Sequence, residues 1–266
     1  MIRMRRIERT TDSKPAAIEV EHDGETYAIH VRRNASARRF ILRVRNATCD
    51  AVLTMPRRAA LKDATEFAER NAAWIGVRLR RLPQLVPFAP DHIIPVRGVA
   101  TRIVHRPQAR GVAWLGEDGG ERALHVAGGQ AHVARRVRDF LKNECRRDLQ
   151  GAVVKYAQTI GKTAPAVSLR DTKSRWGSCS SAGSLNFSWR LIMAPPQVLD
   201  YLAAHEVCHL AHMNHSPKFW SLCRSICPHT DSAEAWLTAK GVDLHRYGSS
   251  QSPQPQAWIG ATLNDV

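Results

Sequence analysis

The chain has 266 residues, 44% hydrophobic and 24% charged, which is the composition of a globular protein long enough to bury a core and excludes wholesale disorder. No run of about 18 apolar residues occurs, and the basic stretch 1–14 lacks an apolar signal core, so the expectation is a cytoplasmic protein without membrane contact. The net charge is +15, and it is unevenly spread: residues 1–170 hold 32 basic and 17 acidic side chains, residues 171–266 seven of each. Such a split predicts two jobs on one chain, the basic part offering a weak, sequence-independent surface to nucleic acid. No nucleic-acid motif accompanies the charge, and the competing reading is an arginine-rich composition on a solvated surface.

Residues 1–16 read as a basic flexible terminus. Over 17–56 the residues Ile18 and Val20, then Tyr27, Ile29 and Val31, then Phe40, Leu42 and Val44, then Val52 and Thr54 alternate with period two, predicting strands with turns at Asp23-Gly24 and near 46–50. Helical spacing takes over at 60–82, and Pro83, Pro87 and Pro90 end it. Short strands return at 93–105, 111–115 and 122–127, with Asp118-Gly119-Gly120 as a turn. Residues 17–130 thus form a β-rich basic region, without an internal repeat visible in the sequence. A long helix is predicted from about 131 to Gly161, on the stripe Val133, Val137, Leu141, Cys145, Leu149 and Val153. Leu185, Phe187, Trp189 and Leu191 alternate with Asn186, Ser188 and Arg190, predicting a half-buried strand whose hairpin partner is Val167 to Ser178. Pro195-Pro196 opens an apolar helix expected to reach Met213 and stop at Asn214; Ser216 and Pro217 then cap another. A last helix near 231–240 ends at Gly241, and 247–266, rich in Gly, Ser, Gln and Pro, reads as a disordered tail. The six cysteines are too scattered for a disulfide scaffold and read as reduced, mostly buried thiols.

The chemistry concentrates in His205-Glu206-Val207-Cys208-His209. Residues four apart share a helix face, so both imidazoles can reach one metal ion while Glu206, beside them, reaches a water on it. Two histidines and a glutamate inside an apolar helix are costly to bury without such a partner. A hydrolytic zinc takes three protein ligands and keeps one position open. His212 sits about 10 Å along a straight helix from His205, too far to converge on the same ion. His215 lies past the expected helix end, where the chain can fold back, and is preferred as third ligand, with Glu234 as the alternative. Cys208 faces away from the histidines and reads as core, and Ser178 is a weak candidate nucleophile. An edge strand within 174–180 or 185–191 is the expected substrate ledge, with Arg175, Gly177 and Asn186 as the candidate substrate-binding residues. Gly177 would permit close backbone approach there, and Arg175 would bind an anionic group or stabilise an oxyanion, unless Arg175 is structural and Trp176 and Trp189 simply pack under the helix.

Taken together, Arg175-Trp176-Gly177-Ser178-Cys179-Ser180, Leu185 to Leu191 with Asn186, His205 to His209, Asn214-His215-Ser216 and Phe219-Trp220 resemble the YgjP-like metallopeptidases, relatives of the SprT-like and WLM zinc proteases. The resemblance covers roughly residues 20–246 in layout and is most specific between 170 and 225. It implies an α+β fold with a zincin-like catalytic domain at 131–246, zinc held by His205, His209 and His215, Glu206 as the base, and a peptide or protein substrate. Three other readings stay open. One is a metal-dependent pyrophosphohydrolase of nucleotide triphosphates; another is a DNA-stimulated protease of SprT-like type; the last is a non-enzymatic DNA-binding protein with structural zinc. Glu206 argues against the last, since a structural site closes with a fourth ligand and needs no base.

Overall fold

The computed structural model describes residues 17–45, 50–82, 84–172 and 175–248. The expected flexible terminus, the turn at 46–49 and most of the expected tail lie outside them. The fold is α+β, in two compact units that divide after residue 83, each opening with a four-stranded sheet followed by helices.

In the first unit, β1 (Ala17–His22), β2 (Glu25–Asn34), β3 (Ile41–Arg45) and β4 (Asp50–Pro56) form a sheet in the order β1-β2-β4-β3. Asp23 and Gly24 both take positive φ at the first turn, 52° and 75°, the twist a two-residue hairpin needs. β2 runs parallel to β4, and the other neighbours are antiparallel. On β4 the core face carries Ala51, Leu53 and Met55, while the predicted Val52 and Thr54 lie on the other face. The helical segment 60–82 is two helices, α1 (Leu61–Arg70) and α2 (Ala72–Arg80), broken at Asn71, whose side-chain amide donates to Phe67 O at 2.7 Å. Ala64, Ala68, Ala72 and Ile75 cover the sheet's apolar face.

The second unit repeats this plan. β5 (Ile93–Val96), β6 (Val99–Arg106), β7 (Ala113–Asp118) and β8 (Glu121–Ala127) form a sheet in the order β5-β6-β8-β7, again with a parallel central pair. Its first hairpin turns on Arg97-Gly98, at φ 53° and 75°. The two sheets share topology without shared sequence, which is why no repeat is legible in the residues. Ile94, Val96, Ile103, Leu124 and Val126 enter the same core as the long helix α3 (Val133–Thr159). This sheet therefore belongs to the compact unit that carries the helices, whereas sequence placed the division at about 130. α3 ends as expected: Gly161 adopts φ 65°, Lys162 N donates to Ala157 O at 2.8 Å and Gly161 N to Gln158 O at 3.0 Å, a Schellman cap.

Three short strands, β9 (Val167–Arg170), β10 (Gly177–Cys179) and β11 (Leu185–Ser188), form a sheet in the order β10-β11-β9. Only 177–179 is the hairpin partner of β11; 167–170 pairs with it in parallel on the other side. The expected strand also stops at Ser188. Residues 189–193 are a 3-10 turn, buried on all sides. Arg190, expected on the polar face, is buried, bonded to Asp171 and to the carbonyl oxygens of Leu244 and Tyr247. The Arg97-Gly98 turn holds this segment: Arg97 N donates to Ile192 O at 2.6 Å, and its guanidinium grips Glu144 and Asp148 of α3.

That segment delivers α4 (Pro196–Cys208), the central helix, followed by α5 (Pro217–Ile226) and α6 (Thr230–Lys240). α4 ends at Cys208 with His209 as its cap, not at Met213; a further turn, closed by Leu210 N to Val207 O and His212 N to Cys208 O, follows before Asn214. Ser216 caps α5 by accepting from Phe219 N at 3.4 Å, with Pro217 behind it. Gly241 keeps right-handed helical geometry and leads into a 3-10 turn. Residues 247 and 248, expected in the tail, are tied in: Val86 N donates to Arg246 O and Gly248 N to Val86 O. The five described cysteines are unpaired thiols, all but Cys179 buried, and no helix of the described residues is long and apolar enough to cross a membrane.

Candidate metal centre

The last turn of α4 presents His205 and His209 on one face, and the early end of the helix sets the third group. Regular helix stops at Cys208, and after one more turn to His212 the chain folds back and brings His215 Nε2 to 3.0 Å from His205 Nε2. The ligand atoms of His205, His209 and His215 all lie within 4.8 Å of one another. Glu234, the alternative ligand, is on the exposed face of α6 and outside this group. His212 contributes its backbone instead: its carbonyl accepts from His209 Nδ1 at 3.0 Å. Tyr201, one turn before His205, puts its hydroxyl 3.3 Å from His205 Nδ1. Since a carbonyl oxygen only accepts, His209 carries its proton on Nδ1 and leaves the Nε2 lone pair for the group, while Tyr201 holds the outer nitrogen of His205. Burial, reinforced by the neighbouring histidines, pushes the His205 pKa down to about 4, and burial also lowers that of His209. The rings are therefore held neutral, the form that binds a metal.

Phe219 forms the apolar floor. It is fully buried, and its centroid lies 4.9, 4.6 and 4.8 Å from those of His205, His209 and His215. Trp220 flanks His205 and His215 at 5.8 and 5.7 Å. Sequence reasoning registered both aromatics only as part of a resemblance; the Ser216-Pro217 cap, which fixes the start of α5, was the signal that could have placed them.

Glu206 is 4% exposed, and its Oε2 is buried without a hydrogen-bond partner among the described residues. Burial raises its pKa to about 7, against the pull of Arg175. It packs on β10 at Gly177, where a side chain would collide with it. β10 is the edge of its sheet, so its ladder can accept a further strand, whereas β11 is the middle strand and cannot. Arg175 and Gly177 line a cavity of about 380 Å³ together with the three histidines and Glu206. Asn186 does not. It pairs in register with Ser178 and accepts from Arg170 Nε at 3.4 Å. Trp176 packs beside His245, centroids 5.1 Å apart, and Trp189 is buried. Cys208 is buried and its thiol pKa is raised, first by its hydrogen bond with Cys223 and then by burial.

The donor set fits a metal ion: three imidazoles converge, the outer nitrogens of His205 and His209 are engaged by Tyr201 and by the His212 carbonyl, and an unpartnered buried carboxylate stands beside them. Among the described residues a second group, Asp200, Cys227 and His229, gathers on the other side of α4. There Asp200 already receives the Tyr156 hydroxyl and faces Lys155 Nζ at 3.7 Å, so it has partners of its own. A larger cavity, about 620 Å³, lies beside that group and touches none of the three histidines. The cavity at the histidines is smaller but contains the chemistry.

The chain matches the family model of the YgjP-like metallopeptidase domain over residues 38–240. No curated protein and no solved structure matches it.

Proposed function

Because the chain belongs to the YgjP-like metallopeptidase family, we propose that it is a zinc-dependent peptidase in which His205, His209 and His215 hold the metal and Glu206 acts as general base. The zinc would polarise the scissile carbonyl and acidify its water. The chain's own residues do the rest. Glu206 takes the water proton at its carboxylate and later delivers it to the leaving amine. Burial raises its pKa in the metal-free protein, and a bound cation would draw it back towards the carboxylate form that accepts a proton. The β10 edge offers backbone N–H and C=O groups to an extended peptide, and Gly177 lets that edge and Glu206 approach closely. Arg175, exposed at the cavity, supplies a positive charge to an anionic substrate group or to the developing oxyanion.

The observation that carries this reading is the unpartnered, buried Glu206 carboxylate beside three converging imidazoles. Glu206→Gln tests it. The variant should keep its metal and fold and lose at least ~100-fold in turnover, the usual scale of general acid–base catalysis. Arg175 also suits a triphosphate, so peptide, nucleotide triphosphate and DNA–protein conjugate panels belong in the same assay. Turnover of nucleotides alone would replace the peptidase reading with a pyrophosphohydrolase, and turnover only with DNA present would make it a DNA-stimulated protease.

A further inference from the structure

We propose that the first unit is a nucleic-acid-binding module, whose phosphate-contacting surface is the arginine-bearing part of the open sheet face, over β2, β4 and β3, together with the two loops at one end of it. Between Thr26 and Lys62 the chain carries nine basic side chains, eight of them arginine, and one acidic side chain, Asp50. The fold gathers these charges. α1 and α2 cover one face of the sheet, burying Ile29, Val31, Ala51 and Leu53. Strand alternation puts Arg32 and Arg43 on the other face, in register with Thr54 and Val52 of the intervening β4. Neighbouring strands are about 4.8 Å apart and a strand rises about 3.4 Å per residue, so these two positions stand roughly 10 Å apart across the sheet and about 7 Å apart along it.

The parallel pairing of β2 and β4 has a second consequence. Both strands finish at the same end of the sheet, so the loops that follow them, 35–40 and 57–60, sit side by side. They carry Arg38 and Arg39, and Arg57 and Arg58, all exposed. Arg33 fastens the second loop in place, donating to Arg57 O at 2.9 Å and Ala59 O at 2.8 Å. Asp50 is engaged by Arg45. Among the described residues no salt bridge involves Arg32, Arg38, Arg39, Arg43, Arg57 or Arg58. These six guanidinium groups have no carboxylate in ion-pair contact, and the exposed Glu19 and Glu21 of the same face sit on the β1 edge, opposite Ala28 and Thr26; such a cluster is unfavourable to the isolated fold and complementary to a polyanion. The arginine bias favours phosphodiesters, whose oxygens match the guanidinium fork. A sheet face with two short loops is also not the amphipathic helix that lies in a bilayer interface. Contacts of this kind position a backbone and do not read bases, so binding is sequence-independent.

The experiment uses full-length protein and fluorescence anisotropy with labelled 30-mer single-stranded DNA, duplex DNA and RNA, the three arms showing which form is preferred. Six phosphate contacts give a slope of about −5 in log K against log salt and a ~10³-fold loss of affinity between 50 and 200 mM. The quadruple variant R38A/R39A/R57A/R58A should bind at least about ten-fold more weakly at 50 mM salt, with the slope reduced to about −2. R110A/R135A/R146A/R147A removes the same charge from exposed positions of the second unit and should bind as wild type does. The proposal is overturned by absence of wild-type binding at 10 μM protein in 50 mM salt, or by equal losses in the two quadruple variants. It is also overturned if mixed vesicles of phosphatidylserine and phosphatidylcholine are bound more tightly than any nucleic acid. Metal content plays no part in these readings, so their outcome is independent of the peptidase assignment.

Discussion

The Glu206 carboxylate fills the space that a side chain at residue 177 would occupy: a Cβ there would stand 2.8 Å from both Cγ and Cδ of Glu206. The glycine is needed for proximity and not for backbone freedom, since its φ is outside the left-handed region. Gly177→Ala therefore forces the carboxylate or β10 to shift. The expected outcome is a stability loss of about 1–3 kcal/mol, the usual cost of overpacking. Turnover should fall at least ~10-fold with metal content unchanged, because a displaced base misses its near-attack geometry. Full activity in this variant would show that Glu206 does not need the position it has.

The proposed third ligand, His215, is separable from its sequence neighbours. His215→Ala should lose most of the bound zinc, measured by elemental analysis of purified protein. His212→Ala should retain it, because the His212 group that engages His209 is its backbone carbonyl. Glu234→Ala should also retain it. Loss of metal in either of the last two variants, with retention in His215→Ala, would reverse the assignment.

Phe219 touches all three imidazoles and is fully buried. Phe219→Leu keeps an apolar floor, whereas Phe219→Ala opens a cavity beneath the site. The alanine variant should be destabilised by about 3–5 kcal/mol in chemical denaturation. Its zinc affinity should drop as well, since the rings lose the surface that orients them, and the leucine variant should recover part of both. Equal zinc affinity in all three proteins would make Phe219 a core residue without influence on the centre.

The buried carboxylate also predicts a pH signature in protein stripped of metal by a chelator. The folded-state pKa of Glu206 is raised from 4.5 to about 7, so the native state binds more protons than the unfolded state between these values. Stability contributed by this group is present below pH 4.5 and is lost as pH rises towards 7. Above that pH the cost is on the order of 3 kcal/mol, at about 1.4 kcal/mol per pKa unit. His205 and His209, with lowered pKa values, act in the opposite sense, adding stability as pH rises from about 4 towards 6.5. Comparison with Glu206→Gln isolates the carboxylate. The Tm advantage of the variant should be small at pH 4.5 and grow up to about pH 7. A difference that stays constant with pH would mean that the carboxylate is solvated.

The sequence alone determined the parts of this protein that depend on neighbours along the chain. The His205–His209 spacing, the Ser216-Pro217 cap, the Gly161 stop and the Asp23-Gly24 and Gly119-Gly120 turns are local geometry, and the structure contains each of them. What it could not determine depends on partners far away in the chain. Arg190 alternates as an exposed residue would, yet it is buried, because Asp171 and two carbonyl groups near residue 245 complete its hydrogen bonds. The apolar run through Met213 reads as one helix, but regular α4 ends at Cys208, and after a final turn to His212 the chain returns to the centre. Gly177 and Glu206 are distant in sequence, and only the packing of β10 on α4 brings them together. The parallel central pairs of the two sheets are equally invisible, since alternation fixes which face of a strand is apolar and leaves open which strand lies beside it.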